Sequence, residues 1–149
     1  MIKRLTVHQF NDLAYPLLRA VLGSEVGPEM KEGDQEDFVD SWGYFKEEQL
    51  IGIIGLGSFL TSFNKRWLGY FGVHPNCQRQ GIGKKLLEYI EKECKIRCIK
   101  FLFVETYGGD KFQKARKFYE SNGFNPCGFL RNYLKDGNSI RYYVKEIEV

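Results

Sequence analysis

Val73-His74-Pro75-Asn76-Cys77-Gln78-Arg79-Gln80-Gly81-Ile82-Gly83 is the stretch on which the reading of this chain turns. Before it runs Lys65 to Val73, whose residues alternate like a strand. After it, Ile82, Leu86, Ile90 and Cys94 recur at helical spacing, with Leu87 and Tyr89 beside them. The period therefore changes from two to 3.6 at a turn that carries Gly81 and Gly83. A glycine-rich helix entrance exposes backbone N–H groups in front of the positive end of the helix dipole, which suits a phosphate or pyrophosphate. It is not a Walker loop: five positions before Gly83 stands Gln78, and Lys84 is followed by Lys85 rather than a hydroxyl. It is not a dinucleotide fingerprint either, because Leu86 holds the third glycine position.

Working outward, Ile2 to Val7 reads as a strand, and Asn11 or Asp12 as the cap of a helix to about Leu22 with Leu13, Leu17, Leu18 and Val21 on one side. Gly23 to Gly33 reads as a loop, and Gln35 to Ser41 as a short acidic helix presenting Phe38 and Val39. Trp42 to Lys46, a Glu47-Glu48 turn and Gln49 to Phe59 make a hairpin. Ile99 to Glu105 is a buried strand. Asp110 is expected to cap a helix that clusters Phe112, Ala115, Phe118, Tyr119 and Asn122 and that Gly123 stops. Phe124 to Tyr133 and Ser139 to Ile147 close the chain as a hairpin around Asp136-Gly137-Asn138. The order is β-α-α-β-β-β-α-β-α-β-β, with a parallel crossover around the helix that starts at Gly81.

Gln78, Gly81 and Gly83, led by Val73 and Pro75, resemble the acetyl-CoA signature of the GCN5-related N-acetyltransferase (GNAT) superfamily. Ala115-Arg116-Lys117-Phe118-Tyr119-Glu120-Ser121-Asn122-Gly123-Phe124 is similar to a later element of the same family, in the right order and at a suitable distance. The resemblance covers nearly the whole chain, and residues 1–149 read as one domain of a bacterial-type single-domain member. It implies an α/β (α+β) fold: a mixed sheet of about seven strands, splayed between the fourth and fifth, flanked by about four helices. It further implies an acyltransferase that moves an acetyl group from acetyl-CoA directly to a primary amine, with no metal. One departure is Phe112, where many relatives carry Asn three positions before the alanine.

The resemblance also assigns the cofactor to particular residues: Phe71, Gly72 and Val73 on the fourth strand, Gln78, Arg79, Gln80, Gly81, Ile82, Gly83 and Lys84 at the turn and helix start, and Tyr119. The pantetheine arm would pair with the fourth strand like an added strand, and the Val73 N–H would face the developing oxyanion. Arg79, Lys84 and Lys85 either add charge near the phosphates or form a solvated helix face. Tyr119 is the candidate general acid, with packing as its plainer role: a phenol of pKa ~10 can protonate a thiolate whose acid lies near ~8.5. Glu105, at the end of Phe101-Leu102-Phe103-Val104, is a general base, a holder of the acceptor ammonium, or part of a salt bridge. His74 shapes the turn or lies on the surface. Cys77 has no paired base in the sequence, which favours direct transfer over an acetyl-cysteine.

Composition narrows the alternatives. The 149 residues carry 22 basic and 19 acidic side chains, a net charge of +3 that is too balanced to argue for nucleic acid or an anionic membrane. No basic strip runs with the aromatics, so an α/β nucleic-acid-binding domain has little support. Cys77, Cys94, Cys98 and Cys127 form no zinc pattern and read as reduced, and with no apolar leader or span evident the expectation is a cytoplasmic protein. The acceptor is expected to be an amine on a small molecule, an amino acid, a peptide or a protein. The acidic run Glu25, Glu29, Glu32, Asp34, Glu36 and Asp37 either attracts a cationic amine or is a solvated loop. The chain is expected to be a monomer or homodimer. The alternative function is a CoA- or acyl-CoA-binding sensor or partner module without catalysis.

Overall fold

The computed structural model describes residues 1–22, 40–58 and 63–148. The expected loop and acidic helix of residues 23–39 lie outside them, and with them the acidic run. In chain order the elements are β1 (Ile2–Arg4), α1 (Val7–Gln9), a π-helical stretch (Phe10–Ala14), α2 (Tyr15–Leu22), β2 (Asp40–Lys46), β3 (Gln49–Gly57) and β4 (Lys65–Val73). There follow α3 (Ile82–Ile96), β5 (Phe101–Tyr107), α4 (Gln113–Ser121), β6 (Asn125–Leu130) and β7 (Ile140–Glu146). A 3₁₀ turn at Pro75–Cys77 precedes α3, and another at Asp110–Phe112 precedes α4. The described strands form one seven-stranded sheet of order β1-β2-β3-β4-β5-β7-β6. Only β4 and β5 pair in parallel; the other neighbours are antiparallel.

Two helical layers cover different parts of this sheet. The α3 stripe of Ile82, Leu86, Ile90 and Cys94 is buried against Leu68, Leu102 and Val104, as its spacing predicts. Helix α4 adds Tyr119 to the same core, with Ala115 and Phe118 packed against it. The first helix packs Phe10, Ala14, Leu17 and Leu18 on Leu50 and Ile53, on the other face of the N-terminal half. Helix α4 is fastened by its end: Tyr143 Oη donates to Glu120 Oε1 (3.1 Å), and Lys145 Nζ donates to the Asn122 carbonyl (2.7 Å) and pairs with Glu91 of α3. Gly123 follows at φ +89°, the left-handed stop that its position predicts.

Three local expectations are corrected. The first helix starts at Val7, not after Asn11 or Asp12: the Thr6 hydroxyl accepts the Gln9 N–H (3.1 Å) and Gln9 Oε1 accepts the Thr6 N–H (3.0 Å), a capping box. Leu13 consequently faces outward. Asp40 and Ser41 belong to β2 rather than to a helix, because Arg4 and Arg97 both pair with the buried Asp40 carboxylate and hold it at the sheet. Helix α4 is entered from Gly109 through a 3₁₀ turn, and Asp110 makes no side-chain cap. Among the described residues no helix is long and apolar enough to cross a membrane.

Candidate active site

The parallel pair β4–β5 is joined only at one end. Its register runs from Lys65↔Phe101 to Leu68↔Val104 and then stops, although both strands continue, to Val73 and Tyr107. The cause lies in β4. Between Ile53 and Gly55 of β3 the register shifts: Gly55 faces Gly69 while Ile53 faces Gly72, so β4 holds one extra residue. Tyr70, in that bulge, has φ +47°. The bulge turns the end of β4 away from β5 and opens the expected splay. The His74 N–H bonds the Ile51 carbonyl of β3 (2.7 Å). Since successive N–H groups point to opposite strand edges, the Val73 N–H points into the gap.

A cavity of about 580 Å³ lies at this gap, lined chiefly from the α3 and α4 side and reached by Val21 of α2. Its wall takes Phe71, Gly72 and Val73 from β4, Gln78 and Arg79 from the turn, Gly81, Ile82, Gly83 and Lys84 from α3, and Tyr119 from α4. Ten of the eleven residues assigned to the cofactor by sequence therefore meet around one space. Gln80 is absent from the wall and exposed. Glu105 is exposed on the opposite face of the sheet. Val21, Cys77, Lys111, Phe112, Lys114, Ala115 and Phe118 complete the lining. Of these, Ala115 and Phe118 fall in the second sequence motif, whereas nothing local marked Val21, Lys111 or Lys114.

The turn is built to present N–H groups. Arg79 (φ +64°) and Gly81 (φ +77°) are both left-handed, which folds the chain into a concave loop before α3. Gly81 caps the helix without a side chain, and the first intrahelical bond runs from the Lys85 N–H to Gly81 (3.0 Å). The N–H groups of Ile82, Gly83 and Lys84 thus have no described backbone acceptor. A Cβ on Gly83 would stand 3.6 Å from Phe118 and 3.8 Å from Phe71, at the cavity wall. Gln78 donates its side-chain amide to the Val73 carbonyl (3.1 Å), so it ties the turn to β4. His74 Nδ1 accepts the Asn76 N–H (3.1 Å), which settles its turn-shaping role. Phe112 meets the Tyr107 ring at 4.9 Å, so the residue standing where relatives have Asn makes an apolar wall instead.

Tyr119 is the buried polar group of the cavity. Phe71 (6.3 Å), Phe118 (5.8 Å) and Phe124 (5.4 Å) surround its ring. Burial alone pushes its phenol well above the ordinary tyrosine value. Its hydroxyl has no hydrogen-bond partner among the described residues. A buried, unpartnered donor is costly, and a ligand that accepts from it recovers that cost.

A model of the GNAT acetyltransferase domain matches residues 39–126, more than half of the chain. The chain belongs to the GNAT acetyltransferase family. This GNAT chain is 39% identical over 62 residues to the uncharacterized N-acetyltransferase YsnE of Bacillus subtilis, covering 42% of the chain and 41% of that protein. It is 39% identical over 61 residues to the ribosomal protein bS18 alanine N-acetyltransferase of Escherichia coli, covering 41% of the chain and 40% of that protein. It thus spans about two fifths of the length of the curated relatives it matches. An aminoglycoside 6′-N-acetyltransferase solved with coenzyme A shares the fold, with a TM-score of 0.82 at 19% identity over 100% of this chain and 98% of the other. The parted β4–β5 pair and the sheet order match that GNAT architecture.

Proposed function

We propose that this protein is an acetyl-CoA-dependent N-acetyltransferase that transfers the acetyl group directly to a primary amine. The observation that carries the reading is the unpartnered, buried Tyr119 hydroxyl on the wall of a cavity that also collects the helix N–H groups of α3. Residues and ligand fit. The N–H groups of Ile82, Gly83 and Lys84 would hold the pyrophosphate, with Arg79, Lys84, Lys111 and Lys114 around the same space as a cationic rim. The apolar wall of Phe71, Phe112 and Phe118 suits the pantetheine arm, and the unpaired edge of β4 offers it N–H and C=O partners. Acetyl-CoA supplies the activated acyl carbon and a thiolate leaving group.

The chain's own groups divide the remaining work. The Val73 N–H would donate to the carbonyl oxygen as it gains charge. Glu105 approaches the gap from the face opposite the cavity and would take the proton that the acceptor ammonium must lose, directly or through water. As the amine nitrogen bonds the acyl carbon it would shed its second proton to solvent, and as the C–S bond breaks the Tyr119 hydroxyl would give its proton to the departing sulfur and regain one from solvent. The net change converts acetyl-CoA and an ammonium into an amide, free CoA and one proton. Cys77 also lines the cavity, but among the described residues no base is hydrogen-bonded to its thiol, and His74 Nδ1 already accepts the Asn76 N–H, so an acetyl-cysteine has no support.

Calorimetric titration with acetyl-CoA and with CoA tests the cofactor half, and thiol release with an amine panel tests the transfer half. One-site micromolar binding with amine-dependent thiol release is expected. Binding without release for any amine would favour the sensor module, and no binding to folded protein would end the cofactor reading.

A further inference from the structure

The face of the sheet turned away from α3 and α4 carries a second set of aromatic residues. Along β5, Leu102, Val104 and Thr106 are buried toward the helices, while Phe101, Phe103, Glu105 and Tyr107 point the other way. The register places Tyr142 of β7 opposite Glu105 and Trp67 of β4 opposite Phe103. The Trp67 ring stands 5.5 Å from Phe103 and 5.9 Å from Tyr142, so three rings on three strands form one surface. These residues are only half-buried, and they belong to neither hydrophobic core. A contiguous aromatic surface of this size beside the gap has the character of a ligand-binding surface.

Glu105 supplies the charge. It sits one residue past Val104, where the β4–β5 pairing ends, so the aromatic surface runs directly into the gap. The Tyr107 hydroxyl donates to Glu105 Oε1 (3.2 Å), and among the described residues no cation pairs with this carboxylate. Tyr142 and Tyr133 belong to the same neighbourhood, and burial followed by the charge of Glu105 pushes the Tyr107 phenol up to about 12. The opposite end of the surface is different. Lys65 and Lys100 stand over the Phe101 ring at 5.8 and 5.5 Å. Lys100 also pairs with Glu146 (3.7 Å), so a second ammonium reaching that end would have to displace a lysine from its acid.

We propose that this surface is the acceptor subsite and that it selects a monoamine with a flat apolar or aromatic body, its ammonium on Glu105 and its body across Trp67, Phe103 and Tyr142. The inference rests on the transferase reading above and names the acceptor class for it. One carboxylate matches one ammonium, rings attract both the cation and a flat skeleton, and at the far end the acid Glu146 is already paired with Lys100.

The test compares 2-phenylethylamine, n-butylamine and spermidine as acceptors by thiol release, with acetyl-CoA affinity measured separately. The expected kcat/KM for 2-phenylethylamine is about tenfold or more above that of either other amine. Tyr142→Leu should raise KM for 2-phenylethylamine and shrink its advantage over n-butylamine to about twofold. Glu105→Gln, which removes both the anchor and the proposed proton acceptor, should raise KM and lower kcat for both monoamines while leaving their ratio in place. Unchanged acetyl-CoA affinity in each variant shows that it is folded and that only the acceptor side has changed. A preference for spermidine, or a ratio indifferent to Tyr142→Leu, would overturn the proposal while the transferase stands. A dimer in sedimentation that Trp67→Ala dissociates would overturn it too, by assigning the surface to a second copy. Failure of acetyl-CoA to bind the unaltered protein would instead remove the transferase reading itself.

Discussion

The two halves of the β4–β5 pair differ in what their residues are for. From Lys65 to Leu68 the strands are hydrogen-bonded, and Leu68 and Val104 are buried beneath α3. From Gly69 to Val73 the same strand is bulged and unpaired on its β5 side, and Phe71, Gly72 and Val73 line the cavity. The first half behaves as core, where side-chain volume matters. The second borders the proposed cofactor site, where backbone groups and empty space matter. One strand holds both because a single extra residue at Tyr70 separates them.

This contrast yields a ranked set of expectations. Leu68→Ala, in the paired half, should cost ~3 kcal/mol of folding stability in urea titration, with acetyl-CoA affinity per folded molecule unchanged. A matching loss of affinity would mean that the two halves are not separable. Tyr119→Phe should do the reverse: kcat falls about 100-fold and KM for acetyl-CoA moves less than about twofold. Stability should hold or rise slightly, since the deleted hydroxyl is buried without a partner among the described residues; an unaltered kcat would take Tyr119 out of the chemistry.

Gly83→Val should weaken acetyl-CoA binding about 30-fold in calorimetry by filling the cradle between Phe118 and Phe71, at a helical position without left-handed strain. Gly81→Val is the less clean probe, because φ +77° adds backbone strain to any steric effect. If Gly83→Val bound normally, the phosphate cradle would have to lie elsewhere. The smallest effect is alkaline. Burial raises the Tyr119 pKa, so the folded state holds the phenolic proton more tightly than the unfolded chain. Its contribution is complete below pH ~10, the unfolded value, and is lost as pH rises from there toward the folded value. Thermal melts from pH 8 to 11 should therefore fall less steeply for Tyr119→Phe than for the parent.

The ligand half was the more readable in sequence. Glycines before a helical stripe have few other uses, so the turn, α3 and the second motif around Tyr119 stood out from local spacing. The parallel crossover followed from element order. Long-range causes were hidden. Asp40 looks like the end of a helix until Arg4 and Arg97, 36 and 57 residues away, are seen holding it in β2. The bulge at Tyr70 depends on how β3 lies beside β4 and leaves no mark in the strand's own alternation. Lys111, Lys114 and Val21 reach the cavity only through packing of separate elements. Thr6 and Gln9 did carry a local signal, a Thr-x-x-Gln capping box, which the apolar periodicity starting later obscured.

Cys94, fully buried in the α3 stripe, turns out to be a built-in clock. Burial, followed by the charge of Glu91, pushes its thiol up to about 12, so in place it is nearly inert to alkylation. Cys98 and Cys127 are exposed and give an internal reference for reagent strength. Labelling of Cys94 by iodoacetamide then requires α3 to lift from the sheet, and its rate reads the opening free energy of the helix proposed to carry the phosphate cradle. A ligand gripping that helix should slow the clock by the factor with which it binds, with no acceptor or assay of turnover required.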